Sequence, residues 1–405
     1  MYWDTRFSKD AHAIKASDIR ELLKVLDDPK VLSFAGGIPD QKLFPLDKIK
    51  LIRNELQTSV DADRAAWQYS TTEGYLPLRQ WVAGHRSTPE TSLGAENVLV
   101  TNGAQQSLTL LAAALVDAGA PIAVANPSYL GALQVFEARR PEFLAVETDD
   151  DGLMMTALED ALKNGARLLY TIPDFQNPGG MTLPLERRQR IIELAHQYGV
   201  PVLEDVAYRD LWYDRAPPPS LLELEGRYLG RGGWQADGLV IQVGTASKTL
   251  MPGLRTGWTV APAALLEKLV ILKQANDLSS SAANQILTFE LASRYLPEHV
   301  EMLRNKYRER RDAMVTALRQ HLPNTAHFSA PGGGMFVWLT LPEGMDGRKL
   351  LETSLDQEKL AFVPGAAFHA NGGGGSTLRL SFSTCEPDVI ADAMERLCAL
   401  IKRQA

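Results

Sequence analysis

Gly244-Thr245-Ala246-Ser247-Lys248-Thr249-Leu250-Met251-Pro252-Gly253-Leu254-Arg255-Thr256-Gly257 follows directly on a largely apolar run, Leu239 to Val243. Such a run suits a strand covered on both faces. The lysine then stands just past a strand end, among small hydroxylated residues. That setting favours nucleophilic capture of a carbonyl as a Schiff base. The hydroxyls of Thr245 and Ser247 and the planar guanidinium of Arg255 are suited to holding a phosphate.

The same rhythm extends outward. Short apolar runs at 97–100, 121–125, 167–172, 200–204 and 258–261 alternate with helical periods at 105–116, 185–197 and 263–274. Strands interleaved with helices predict an α/β fold around a mostly parallel sheet. Ligands in such sheets bind beyond the carboxyl ends of the strands. Two long helical stretches follow, 281–296 and 298–321. Beyond about residue 325 the pattern turns α+β: a strand at 335–341, a helix at 348–357, strands at 360–363 and 377–382, and a helix from Glu386. The expected organisation is an N-terminal arm (1–45) belonging to the small domain, a large domain (46–295), and a small C-terminal domain (296–405) opened by a long linking helix. Within the arm, Ser17 to Leu26 reads as an amphipathic helix with Ser17 as its cap and Glu21 early in it.

The 405 residues are 45% hydrophobic and 22% charged, ordinary values for a globular chain with a large core. The net charge of −7 argues against a nucleic-acid surface. No apolar run approaches the ~20 residues of a membrane span, and the stretch 108–116 stops at Asp117. Cys385 and Cys398, the only two cysteines, provide neither a disulfide framework nor a four-thiolate zinc site. The N-terminus shows no signal-peptide core, so a cytoplasmic protein is expected. The seven histidines lack ligand spacing, and no metal site is expected. Gly-x-Gly-x-x-Gly, the phosphate-loop motif, His-Glu-x-x-His and Gly-x-Ser-x-Gly are all absent, which removes several enzyme classes.

The Lys248 string resembles the Schiff-base lysine signature of fold-type I pyridoxal-phosphate enzymes, specifically the class I/II aminotransferases. The likeness runs through nearly the whole chain in the family's order. Phe34-Ala35-Gly36-Gly37-Ile38-Pro39-Asp40 resembles the substrate-side loop of the 2-aminoadipate and kynurenine aminotransferase subgroup. The resemblance implies a seven-stranded, mostly parallel sheet flanked by helices, with a smaller α+β domain. It implies pyridoxal 5′-phosphate as cofactor, α-amino acid and 2-oxo acid substrates, and a homodimer with shared sites.

Residue by residue, the resemblance gives Gly103, Ala104 and Gln105 to the phosphate, where backbone amides at a helix N-terminus form an anion site. Tyr129 matches the aromatic that stacks on the pyridine ring, and Asn177 the donor to its phenolic oxygen. Asp205 matches the carboxylate on the ring nitrogen. Strand alternation points Glu204, the competing carboxylate, the other way. Tyr208 would also bond the phenolic oxygen. Thr245, Ser247 and Arg255 would hold the phosphate, and Tyr69 would reach the partner subunit's phosphate across a two-fold interface. Gly37, Asn177 and Arg379 fall on the substrate side. Arg379 sits in an otherwise apolar strand, where a charge is costly unless paired; its match binds the substrate α-carboxylate. Lys248, Asp205 and Tyr208 form the catalytic set. Lys248 would carry the α-proton, which requires a lowered pKa.

The expected reaction moves an amino group from an α-amino acid to a 2-oxo acid, with 2-oxoglutarate as the implied acceptor. A lyase, decarboxylase or synthase on the same fold is the alternative. Tyr129, where the acyl-transferring branch carries His, favours transamination. A ligand-sensing regulator of similar fold would need a DNA-binding domain ahead of residue 34, and only about thirty residues stand there. Dicarboxylic specificity is expected to need an arginine near 12–17, where this chain has Ala13 and Lys15. A hydrophobic, branched or aromatic donor is therefore equally compatible.

Overall fold

The apolar runs assemble into one sheet because each is buried on both sides. In this computed structural model, residues 3–14 and 30–405 are described; Lys15 and the segment 17–26 lie outside the described residues. The sheet order is Val98–Thr101, Gly257–Val260, Val240–Thr245, Val202–Asp205, Leu169–Thr171, Pro121–Asn126, Glu142–Asp149, Gly152–Leu153. All strands run one way except Gly257–Val260 and Gly152–Leu153. Alternation divides the packing: Ile122 and Val124 join a cluster with Leu108 and Leu269, while Ala123 and Ala125 face Ile191 and Leu194.

Four details differ from the sequence reading. The strand Glu142–Asp149 has no counterpart among the expected runs; of its residues only Val146 is buried. The sheet has eight strands, not seven. The eighth is a two-residue return, turned by Gly152 at φ 90° and by the Asp149 carboxylate accepting the Asp151 N–H. The two long helical stretches are one 40-residue helix, Ala282–His321. Pro297 deletes one backbone donor there, but burial of Leu296, Val300 and Leu303 carries the helix through it. The 295/296 boundary thus falls inside a helix. Finally, 360–363 is two short strands. Leu360–Ala361 pairs in parallel with Leu32–Ser33, and Val363–Pro364 pairs with Thr377–Ser381.

Beside the large sheet stands a four-stranded antiparallel one: His327–Phe328, Phe336–Thr340, Thr377–Ser381, Val363–Pro364. It presents Arg379, Phe336 and Trp338 on one face, because Trp338 pairs directly with Arg379 and Phe336 lies two residues away. No helix among the described residues is long and apolar enough to cross a membrane.

Candidate active site

Parallel strands deliver their carboxyl ends to one edge of the sheet, and the sequence-predicted residues gather there. Ala104 and Gln105 begin the helix after Val98–Thr101, and Tyr129 begins the one after Pro121–Asn126. Asn177 follows Leu169–Thr171, Asp205 ends its strand, and Lys248 follows Val240–Thr245. Gly257–Val260 is antiparallel, so its start lies at the same edge. Pairing of Gly257 with both Thr101 and Thr245 brings Arg255 into the group. A cavity of about 180 Å³ is walled by Ala104, Gln105, Tyr129, Asp205, Tyr208, Thr245, Ser247, Lys248 and Arg255.

Lys248 Nζ donates to the Gly37 carbonyl at 2.8 Å. Loss of hydration pulls its amine down to about 8; Arg379 and Arg255 add to this and Asp205 opposes it. Burial likewise pushes the Asp205 carboxyl up to about 6, against hydrogen bonds that favour its charged form. Those bonds come from the Ala207 N–H at 3.1 Å and the Tyr170 hydroxyl at 3.0 Å. Glu204 does point away, as alternation requires: it accepts the Leu221 and Leu222 N–H groups and the Gln242 amide.

A native lysine with a lowered pKa binds fewer protons than the same residue unfolded. Stability therefore rises with pH between the native value near 8 and the unfolded value near 10.5. Each pH unit by which the native value sits lower is worth about 1.4 kcal/mol. In the cofactor-free protein, Lys248→Met should abolish that rise, as read by chemical denaturation from pH 8 to 10.5. Parallel curves for variant and wild type would show that Lys248 is not desolvated.

Arg379 is buried. It donates to Asn177 Oδ1 at 2.8 Å and to the Ala35 carbonyl at 2.7 Å. Its guanidinium carbon lies 4.3 Å from the Phe336 ring centre and 4.9 Å from that of Phe368. Its Nε is buried without a hydrogen-bond partner among the described residues. Burial lowers its pKa to about 10. Asn177 turns its amide toward the Tyr208 hydroxyl at 3.4 Å, and burial raises the Tyr208 pKa. One chain of contacts thus links Arg379, Asn177 and Tyr208.

At the far end, Gly103 adopts φ 77° ahead of the helix Ala104–Leu115. A Cβ on it would stand 2.8 Å from Arg255 Nη2. Arg255 itself takes φ 48° and donates to the Asn102 carbonyl at 3.4 Å. The Thr245 hydroxyl donates to Ser247 Oγ at 2.9 Å.

Tyr69 is not brought to this cavity within the chain; it is 79% exposed, beside an equally exposed Trp67. The sequence reading also missed three contributors. Tyr170, which holds Asp205, was read only as a strand residue; a polar ring in the strand next to Val202–Asp205 was the available signal. Phe336 and Phe368 flank Arg379 from segments more than ten residues away, and no local pattern announces that contact.

The class I and II aminotransferase family model matches residues 29–397. The chain belongs to that family. It is 42% identical over 403 residues to a 2-aminoadipate transaminase of Thermus thermophilus, covering 99% of this chain and 98% of the relative. It is 37% identical to aromatic-amino-acid aminotransferase 1 of Thermococcus litoralis, covering 99% and 95%. The solved α-aminoadipate aminotransferase LysN of Thermus thermophilus, complexed with N-(5′-phosphopyridoxyl)-L-leucine, superposes with a TM-score of 0.90 at 41% identity. That match covers 100% of this chain and 99% of LysN. This aminotransferase is a pyridoxal-phosphate enzyme, and its residues fit the group. The Gly103 turn leaves a cradle that a Cβ would fill, lined by Arg255 and by first-turn amides, which lack acceptors within a helix. A buried carboxylate and a desolvated amine stand deeper in.

Proposed function

We propose that this aminotransferase moves the amino group of an α-amino acid to 2-oxoglutarate, with Lys248 carrying the proton. The observation that carries the reading is that Lys248 and Asp205 wall one small cavity, with Arg379 close enough to lower the Lys248 pKa. Bound pyridoxal phosphate supplies a carbonyl for the amino group and a pyridine ring that draws electrons from the α-carbon. Asp205 keeps a proton on the ring nitrogen, and Tyr170 and the Ala207 N–H orient its two oxygens. Tyr208 and Asn177 would hold the phenolic oxygen. Gly103, Ala104, Gln105, Thr245, Ser247 and Arg255 would hold the phosphate, and Tyr129 would pack against the ring.

Arg379 receives the substrate α-carboxylate. Its two terminal nitrogens are aligned by Asn177 and Ala35, and Phe336 and Phe368 keep water from its faces. The Gly37 carbonyl parks the Lys248 amine beside that space. An amine of pKa near 8 is neutral often enough at neutral pH to take the α-proton and return it.

Transamination is tested by the absorption spectrum of the loaded enzyme with single amino acids and no oxo acid. Bleaching by some donors, and recovery on adding 2-oxoglutarate, is the expected result. Release of ammonia or carbon dioxide without recovery would move the assignment to a lyase or decarboxylase. The donors that bleach fastest define the side-chain class. Tyr69, exposed next to Trp67, supports a two-fold dimer in which it enters the partner's site. A solution mass of one chain would remove it from the mechanism. Both cysteines are free, which supports work in the reducing cytoplasm.

A further inference from the structure

Asn102 precedes the Gly103 turn, and its backbone N–H, its backbone carbonyl and its side-chain amide NH2 are all engaged. Its N–H donates to Gln106 Oε1 at 2.8 Å, and its carbonyl accepts from Arg255 at 3.4 Å. Its side-chain amide donates to Asp277 Oδ2 at 2.6 Å. Asp277 lies 175 residues away, capping the helix Ala263–Asn276, and it also accepts the Gln106 amide at 2.7 Å. Its other oxygen takes the Lys273 ammonium at 2.6 Å. The Lys273 side chain is completely buried. A buried ammonium is costly unless paired, and an acidic group behind an anion site repels the anion unless balanced. Lys273 and Asp277 satisfy both conditions for each other.

We propose that Asp277, with its charge balanced by Lys273, is a positioning residue for the cofactor's phosphate, acting through Asn102. The proposal rests on the reading that the Gly103 turn receives that phosphate. Asp277 touches neither substrate nor cofactor. It fixes the turn from behind, so that the amides of Ala104 and Gln105 and the guanidinium of Arg255 meet at one point before the phosphate arrives. The benefit is pre-organisation: a turn already ordered loses less entropy on binding.

The test uses the full-length apo-protein and three probes: pyridoxal phosphate, pyridoxal without the phosphate, and inorganic phosphate. For the charge-neutral double variant Asp277→Asn/Lys273→Met, affinity for both phosphate-bearing probes should fall about tenfold, because the hydrogen bond that Asn102 gives to a charged group is lost. Affinity for pyridoxal should stay within twofold. Gln106→Ala, which leaves the Asn102–Asp277 bond in place, should shift the same two probes by a smaller factor. Equal losses for pyridoxal and pyridoxal phosphate would mean general damage and overturn the proposal. Unchanged phosphate binding in both variants would overturn it as well. A wild-type protein that binds none of the probes would instead sink the functional reading.

Discussion

Lys248→Ala should lower turnover by about four orders of magnitude or more while leaving the fold intact. Proton transfer by a positioned side chain contributes roughly 10²–10⁴-fold, and loss of the nucleophilic amine adds to that. The fold should survive because the side chain contributes little to packing. Its amine makes one hydrogen bond among the described residues, to the Gly37 carbonyl, and folding leaves that amine poorly solvated. Removing it relieves a desolvation cost. The variant leaves the residues proposed to hold the phosphate unchanged, so it should still take up pyridoxal phosphate. Denaturation midpoint, cofactor uptake and donor half-reaction rate together check the expectation. Partial rescue of the rate by added methylamine is expected if the lost function is that of a base. A variant that still transaminates at more than about a hundredth of the wild-type rate would contradict the 10²–10⁴-fold contribution of a proton carrier.

The same site shows what a sequence carries locally and what it does not. Six strands of the large sheet were legible because burial leaves a run of apolar residues, as in Val240–Thr245; Glu142–Asp149, in which only Val146 is buried, was not among them. The residues at their ends were legible through the family resemblance, and α/β geometry, which places strand termini together, accounts for their forming one site. Glu204 and Asp205 were separable by alternation alone, and the structure bears this out. Two errors came from local rules overruled by packing. Pro297 suggested a break, yet flanking buried residues held the helix. The segment 360–363 read as one strand, but its halves serve different partners, one of them the distant Leu32–Ser33. The Asp277–Asn102 bond and the Phe336 and Phe368 flanks were invisible for a different reason. They join positions remote in sequence through side chains that have no period to betray them.

Asp174→Ala should destabilise the protein by about 3–5 kcal/mol, the cost of stranding buried charge. Asp174 has no exposed surface and accepts Arg188 Nη2 at 2.5 Å and Arg209 Nη1 at 2.7 Å. Arg188 is itself fully buried. Its remaining partners are the carbonyls of Leu183, Pro173 and Pro219, which solvate the guanidinium without neutralising it. Removing the carboxylate leaves two cations facing each other in a dry space. Asp174→Asn keeps the volume and one acceptor, so its loss should be smaller. The double variant Asp174→Ala/Arg188→Met should regain part of the stability, because one of the stranded charges is gone. Urea denaturation of the four proteins measures this ordering. If Asp174→Ala and wild type share a midpoint, the ion cluster is not holding the fold. The effect should also reach the chemistry. Asp174 anchors the segment leading to Asn177, whose Oδ1 aligns Arg379 and whose amide meets Tyr208. A loosened segment lets both drift, and a 1 Å misplacement at a reacting centre can cost about 10²-fold. The surviving folded fraction of Asp174→Ala should therefore show a raised KM for amino acids and a lowered kcat.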